Sequence, residues 1–144
     1  MGTRSIVAAR TESGIKGVYV HWDGYPEGRL PVLRAMIERD GVSKVVRTII
    51  GKPNGWSHLS NEMGDELESM HSDGRFIAVP GYGVQYADYP IQGDQNYWEP
   101  KDHTESEVFI EYIYIINEDG SVDWADACGK DFRALRWFTD GVKV

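Results

Sequence analysis

Cysteine is almost missing from this chain: Cys128 stands alone among 144 residues. No internal disulfide can form, so packing must hold the fold, and such usage fits a reducing compartment. A thiol nucleophile needs a positioned base, and nothing in the sequence supplies one near Cys128. The expectation there is a small, half-buried side chain. Positive charge is also short. Fifteen basic residues face 23 acidic ones, for a net charge of −8. A field of that sign repels phosphate backbones and anionic lipid, which argues against direct binding of DNA, RNA or a membrane. It permits a basic protein partner, and it also serves plain solubility.

Other signals are absent too. No apolar run approaches membrane-spanning length. The opening MGTRS leads straight into a strand pattern without an apolar stretch of leader type, so no secretion signal is expected. Gly2 lacks the hydroxyl residue that a myristoylation signal wants four positions later, where Ile6 stands. There is no Gly-x-Ser-x-Gly nucleophile elbow and no phosphate loop ending in Gly-Lys-Ser/Thr. Gly81-Tyr82-Gly83 is only a Gly-x-Gly with no helix after it, and its simplest meaning is a turn between strands. The four histidines, His21, His58, His71 and His103, are scattered, whereas zinc ligands cluster locally. No metal and no cofactor is expected.

What is present is an ordinary globular mix: 41% hydrophobic and 26% charged residues, with eight Tyr and five Trp. This length suits one domain. Residues 5–10 (SIVAAR) and 17–22 (GVYVHW), separated by Ser13-Gly14, predict a β-hairpin. Asp23-Gly24-Tyr25-Pro26 breaks the second strand. A helix is expected to begin near Leu30, with Pro31 in its first turn, and to end at Asp40-Gly41. Ser43 is the expected N-cap of a second helix over 44–50. Trp56 and Leu59 are expected to dock on the core. Met63, Leu67 and Met70 have helical spacing within 61–72, with Gly64 inside. Residues 75–79 and 84–86 predict paired strands, and 87–106 a long surface loop. The strongest strand signal is 107–117 (EVFIEYIYIIN), apolar on both faces and therefore central, followed by an Asp119-Gly120 hairpin and a return over 121–125. Residues 131–138 (DFRALRWF) predict a short helix. The fold class expected is α+β: one domain over 1–144, a mostly antiparallel sheet with helices packed on one face.

The chemistry that remains is local. Tyr19, His21, Trp22, Asp23 and Tyr25 fall within seven residues, between a strand and a helix. Aromatic faces beside fixed polar groups suit a planar ligand of the nucleobase type, and a helix N-terminus suits its phosphate. Arg4 and Arg29 add positive charge nearby. Seven residues therefore make the candidate ligand site: Arg4, Tyr19, His21, Trp22, Asp23, Tyr25 and Arg29. The same segment also admits packing of Trp22 and Tyr25 between sheet and helix. His21 and Asp23, two apart, offer an acid/base pair if the strand extends through both, although an Asp-Gly carboxylate usually bonds its own turn.

The opening MGTRS, the strand and turn after it, and Tyr19-Val20-His21-Trp22-Asp23-Gly24-Tyr25-Pro26 leading into a helix resemble a family of small uncharacterised proteins of tailed bacteriophages. The resemblance covers residues 1–40, is looser around Glu111-Tyr112-Ile113-Tyr114, and does not extend to 52–106. The family has no established activity to carry over to any residue. The resemblance implies a phage product in the host cytoplasm. Together these observations favour a non-enzymatic accessory protein that binds a nucleotide-like small molecule or a host or defence protein, and a homodimer is compatible with that. The competing readings are a small hydrolase or nuclease using His21 and Asp23, and a structural component of the virion.

Overall fold

The computed structural model describes residues 3–61, 76–87 and 96–140. The chain begins with a hairpin, β1 (Ser5–Thr11) and β2 (Gly14–Val20), in which Thr11 faces Gly14 across a two-residue turn. The hairpin is tighter than the sequence suggests, because Gly14 takes φ 125° and closes the loop within two residues. Helix α1 (Pro26–Asp40) follows, then α2 (Val42–Ile50) and β3 (Trp56–Leu59). Strands β4 (Phe76–Val79) and β5 (Gly83–Tyr86) form a second hairpin. Strands β6 (Tyr112–Ile116) and β7 (Val122–Asp126) form a third, and β8 (Phe138–Asp140) pairs with β7.

Among the described residues these strands make one mixed sheet of eight, in the order β4-β5-β3-β2-β1-β6-β7-β8. The pairs β1–β6 and β2–β3 are parallel, and the remaining neighbours are antiparallel. Alternation along β1 explains its central place. Val7 and Ala9 enter one apolar cluster, Ile6 and Ala8 the other, and all four are buried. The first cluster joins Leu33 and Met36 of α1, and Val45 and Ile49 of α2, to Val7, Val18 and Tyr114 of the sheet. Among the described residues, the second contains none from α1 or α2. There Ile113, Ile115 and Leu135 are covered by Trp98, Phe132 and Trp137. Each fully buried aliphatic side chain contributes about 1.5–3 kcal/mol before its ordering entropy is counted. No described helix is long and apolar enough to cross a membrane.

Several expectations are corrected. α1 begins at Pro26, not Leu30: Pro26 supplies the fixed φ of a first helical position, and Tyr25 is held extended at ψ 149° as the residue before proline. Pro31 therefore lies inside the helix and leaves the Glu27 carbonyl without its helical donor. α2 begins at Val42 behind Gly41, so Ser43 is a helical residue and not the cap. Of residues 107–117, only Tyr112–Ile116 are strand, the stretch laddered to Ser5–Ala9 of β1, although one further bond, Glu111 N–H to Arg4 O, precedes it. The C-terminal segment forms one 3-10 turn, Phe132–Ala134, capped by Asp131, and then β8, where Phe138 stacks on Trp124 at 4.9 Å. Cys128 is exposed rather than half-buried. Residues 62–72 of the helix expected over 61–72, His71 among them, and residues 88–95 of the expected 87–106 loop lie outside the described residues.

Candidate functional site

Four of the seven expected residues converge where β1 begins and β2 ends. Tyr19 and His21 share one face of the extended chain, and Tyr19 Oη and His21 Nδ1 share a hydrogen bond of 2.7 Å. The Trp22 ring meets the His21 ring edge-on, with centroids 4.7 Å apart. Burial raises the pKa of Tyr19 and lowers that of His21, and Arg4, one residue before β1, lies close enough to pull both downward. Its guanidinium also sits 5.7 Å over the ring of Phe109. Phe109, Arg4, Tyr19, His21 and Trp22 thus form a continuous strip. Phe109 is 65% exposed and Trp22 43%.

Backbone bonds set this strip in place. His21 N–H donates to Trp56 O at 3.0 Å, and Trp22 N–H to Ser57 O at 2.9 Å, so the chain keeps contact with β3 beyond the end of β2. Asp23 then adopts φ 58°, a left-handed value that turns the chain. Gly24 N–H donates to Thr3 O at 2.8 Å, and its carbonyl accepts from the Tyr114 hydroxyl beneath. A Cβ at Gly24 would sit 2.6 Å from Thr3 O, so no larger residue fits this close approach.

The other three expected residues do different work. Arg29 is buried, 1% exposed, and supports the loop from inside: its Nη2 donates to Trp22 O at 2.8 Å, while Nε has no partner among the described residues. Burial lowers its pKa to about 10, with Tyr114, Asp23 and Tyr25 pulling the other way, so it remains a cation at neutral pH. Tyr25 is 41% exposed, and its ring packs against Gly28 in the first turn of α1. Asp23 is exposed on the turn. Nδ1 of His21 is engaged by Tyr19. Among the described residues, no group of three or more His, Cys, Asp or Glu is placed to hold a metal ion.

No family model, curated protein or solved structure matches this chain. Phe109 was not foreseen in the sequence, because alternation placed it inside a strand that does not reach it. The one available signal was the apolar pair Val108-Phe109 next to the acidic Glu105 and Glu107.

His21 gives the stability a pH dependence of definite sign. Burial first, and Arg4 second, disfavour the imidazolium, so the folded state binds this proton less readily than the ordinary 6.5. On acidification the unfolded chain takes up the proton first. The stability contribution is therefore complete above 6.5 and declines as pH falls through that value toward the lowered one. Urea titrations at about pH 7.5 and about pH 5.5 are expected to show a loss at the lower pH that shrinks in His21→Gln. An equal loss in both proteins would remove His21 from the account.

Proposed function

We propose that this protein acts by binding, and that its ligand is a planar anion of the nucleotide class held along the strip of Phe109, Arg4, Tyr19, His21 and Trp22. The observation that carries this reading is the setting of Arg4. Among the described residues no carboxylate forms an ion pair with it, and it lies between an exposed ring and a neutral imidazole–phenol pair. A cation left available between ring faces suits a phosphate beside a stacked base. Tyr19 keeps its proton, since burial raises its pKa against the pull of Arg4. When its hydroxyl donates to Nδ1 of His21, the opposite ring nitrogen carries the hydrogen and becomes a donor toward the ligand. Arg29 positions the strip through the Trp22 carbonyl, and Asp23 and Tyr25 follow it, exposed, in the turn before α1. A mostly antiparallel sheet with both helices against one face leaves this end of the sheet open in our reading.

A second reading, engagement of a host or defence protein, is favoured by the exposure of the large apolar side chains Trp22, Tyr25, Val108 and Phe109. In both readings the protein is a phage accessory factor in the host cytoplasm, supported by the resemblance of residues 1–40.

A panel of nucleoside mono- and triphosphates tests this directly. A true ligand raises the melting temperature by an amount that grows with its concentration, and it quenches the fluorescence of Trp22 in a protein whose other tryptophans are replaced by phenylalanine where folding permits. Arg4→Ala is expected to weaken binding about tenfold or more, and His21→Ala to do so less. A panel that shifts neither signal would overturn the nucleotide reading. Capture of a host protein lost on Trp22→Ala would then support the second.

A further inference from the structure

At the far end of the sheet, where parallel strands β1 and β6 both finish, lies an open cleft of about 640 Å³. It is separate from the strip, which sits where those strands begin. Its floor is wholly aliphatic: Ala9, Ile116, and Val42 and Val46 from α2. Helical spacing sets Val42 beside Val46, and likewise Ser43 beside Arg47, so α2 offers the cleft an apolar ridge and a polar ridge side by side. Arg10 lines the wall, but its charge is already used: Nε donates to Asn117 Oδ1 at 3.0 Å, and Nη2 pairs with Asp123 at 3.2 Å. Arg47 forms no ion pair among the described residues. The acids Glu12 and Glu118 are likewise unpaired there, and both line this cleft and an adjoining cavity of about 400 Å³.

These features select a ligand chemistry. A simple anion would meet Arg47 but also two uncompensated carboxylates, whose like charge repels it. A simple cation meets the reverse conflict. A molecule with both charges satisfies both ends at once, and the aliphatic floor between them takes a branched hydrocarbon side chain. Among the described residues the lining contains no aromatic ring, unlike the strip, so none of them stacks a base. The volume exceeds that of a single amino acid and suits a peptide of about two or three residues.

We propose that this cleft binds a short aliphatic peptide as a zwitterion, its carboxylate against Arg47 and Ser43 and its ammonium against Glu118 and Glu12. The free N–H groups at the start of α2, which has no side-chain cap, add to the carboxylate end. This assignment stands independently of the nucleotide reading.

The test uses Leu-Leu as probe, with three relatives: N-acetyl-Leu-Leu, Leu-Leu amide and Gly-Gly. Affinities are read by calorimetry or by amide chemical shifts on the whole protein. Leu-Leu is expected to bind, with each blocked form about tenfold weaker or worse and Gly-Gly weaker still. Arg47→Ala should lower Leu-Leu affinity to that of the amide while leaving the amide unchanged. Glu118→Gln should do the same for the acetylated form. Both residues are exposed, so the fold is retained, and circular dichroism checks this. The assignment is overturned if Leu-Leu does not bind, if Gly-Gly binds equally well, if the acetylated peptide binds as tightly as Leu-Leu, or if Arg47→Ala changes nothing.

Discussion

Trp56→Ala is expected to cost about 4 kcal/mol of folding stability, a large share of the roughly 5–15 kcal/mol that a domain of this kind possesses. Trp56 is fully buried at 0% exposure and is the largest side chain sealed inside the molecule. Its position makes the loss more than a cavity. β2 and β3 meet through a single paired position, Val20 with Trp56, so little ladder holds β4, β5 and β3 to the other five strands. The Trp56 carbonyl accepts from His21, its side chain enters the cluster with Val20, Leu33 and Ile49, and its Nε1 donates to Ile49 O at 3.0 Å. That carbonyl lies in the last turn of α2, where no helical donor is left, so the indole also caps a helix. Trp56→Phe keeps most of the apolar volume and strands the carbonyl, for a smaller loss of about 1–2 kcal/mol. Urea unfolding followed by circular dichroism measures both, and a loss below about 1 kcal/mol for the alanine variant would contradict this account. Because the Trp56 and Ser57 carbonyls hold His21 and Trp22, loosening β3 should also weaken the binding strip.

The second large effect is expected at Gly83. It lies in β5 with φ 128°, paired with Leu59 on one side and Val79 on the other. A Cβ there would come within 2.3 Å of His58 O and 2.9 Å of Leu59 Cα, both backbone atoms that cannot step aside. Backbone strain and steric displacement therefore add, and Gly83→Ala is expected to lose about 3 kcal/mol or more. Gly14→Ala is the control. Its φ is 125°, but none of the described residues comes within 4 Å of the added carbon. It should show the strain alone, about 1–2 kcal/mol. Thermal or urea melts of the pair separate the two contributions, and equal losses would show that the contact at Gly83 relaxes at little cost.

Much of this architecture was legible one segment at a time. Alternation in SIVAAR and GVYV with Ser13-Gly14 between them specifies the first hairpin, and Asp119-Gly120 between apolar runs specifies the third. The errors share a cause, which is that neighbours decide where an element starts and stops. Alternation continues unbroken from Val108 to Ile116, but strand begins only at Tyr112, where β1 supplies hydrogen bonds. Phe132 and Leu135 have the spacing of a helix, yet β7 has an open edge, and after one turn the chain spends its backbone groups there instead. The gathering of Tyr19, His21 and Trp22 was visible because they are close in sequence. Phe109 was invisible because its link to Arg4 crosses 105 positions.

The sequence by itself determined the class of protein: one acidic α+β domain without disulfides, punctuated by Asp-Gly turns, with a polar-aromatic segment after its second strand. Those properties follow from composition and local spacing, which each segment carries regardless of its partners. Tertiary structure alone decided the parallel joining of β1 to β6 and the inward turn of Arg29. It alone brought Arg47 and Glu118 to the rim of one cleft. Pairing and burial are shared free energies between distant segments, and no single segment contains them.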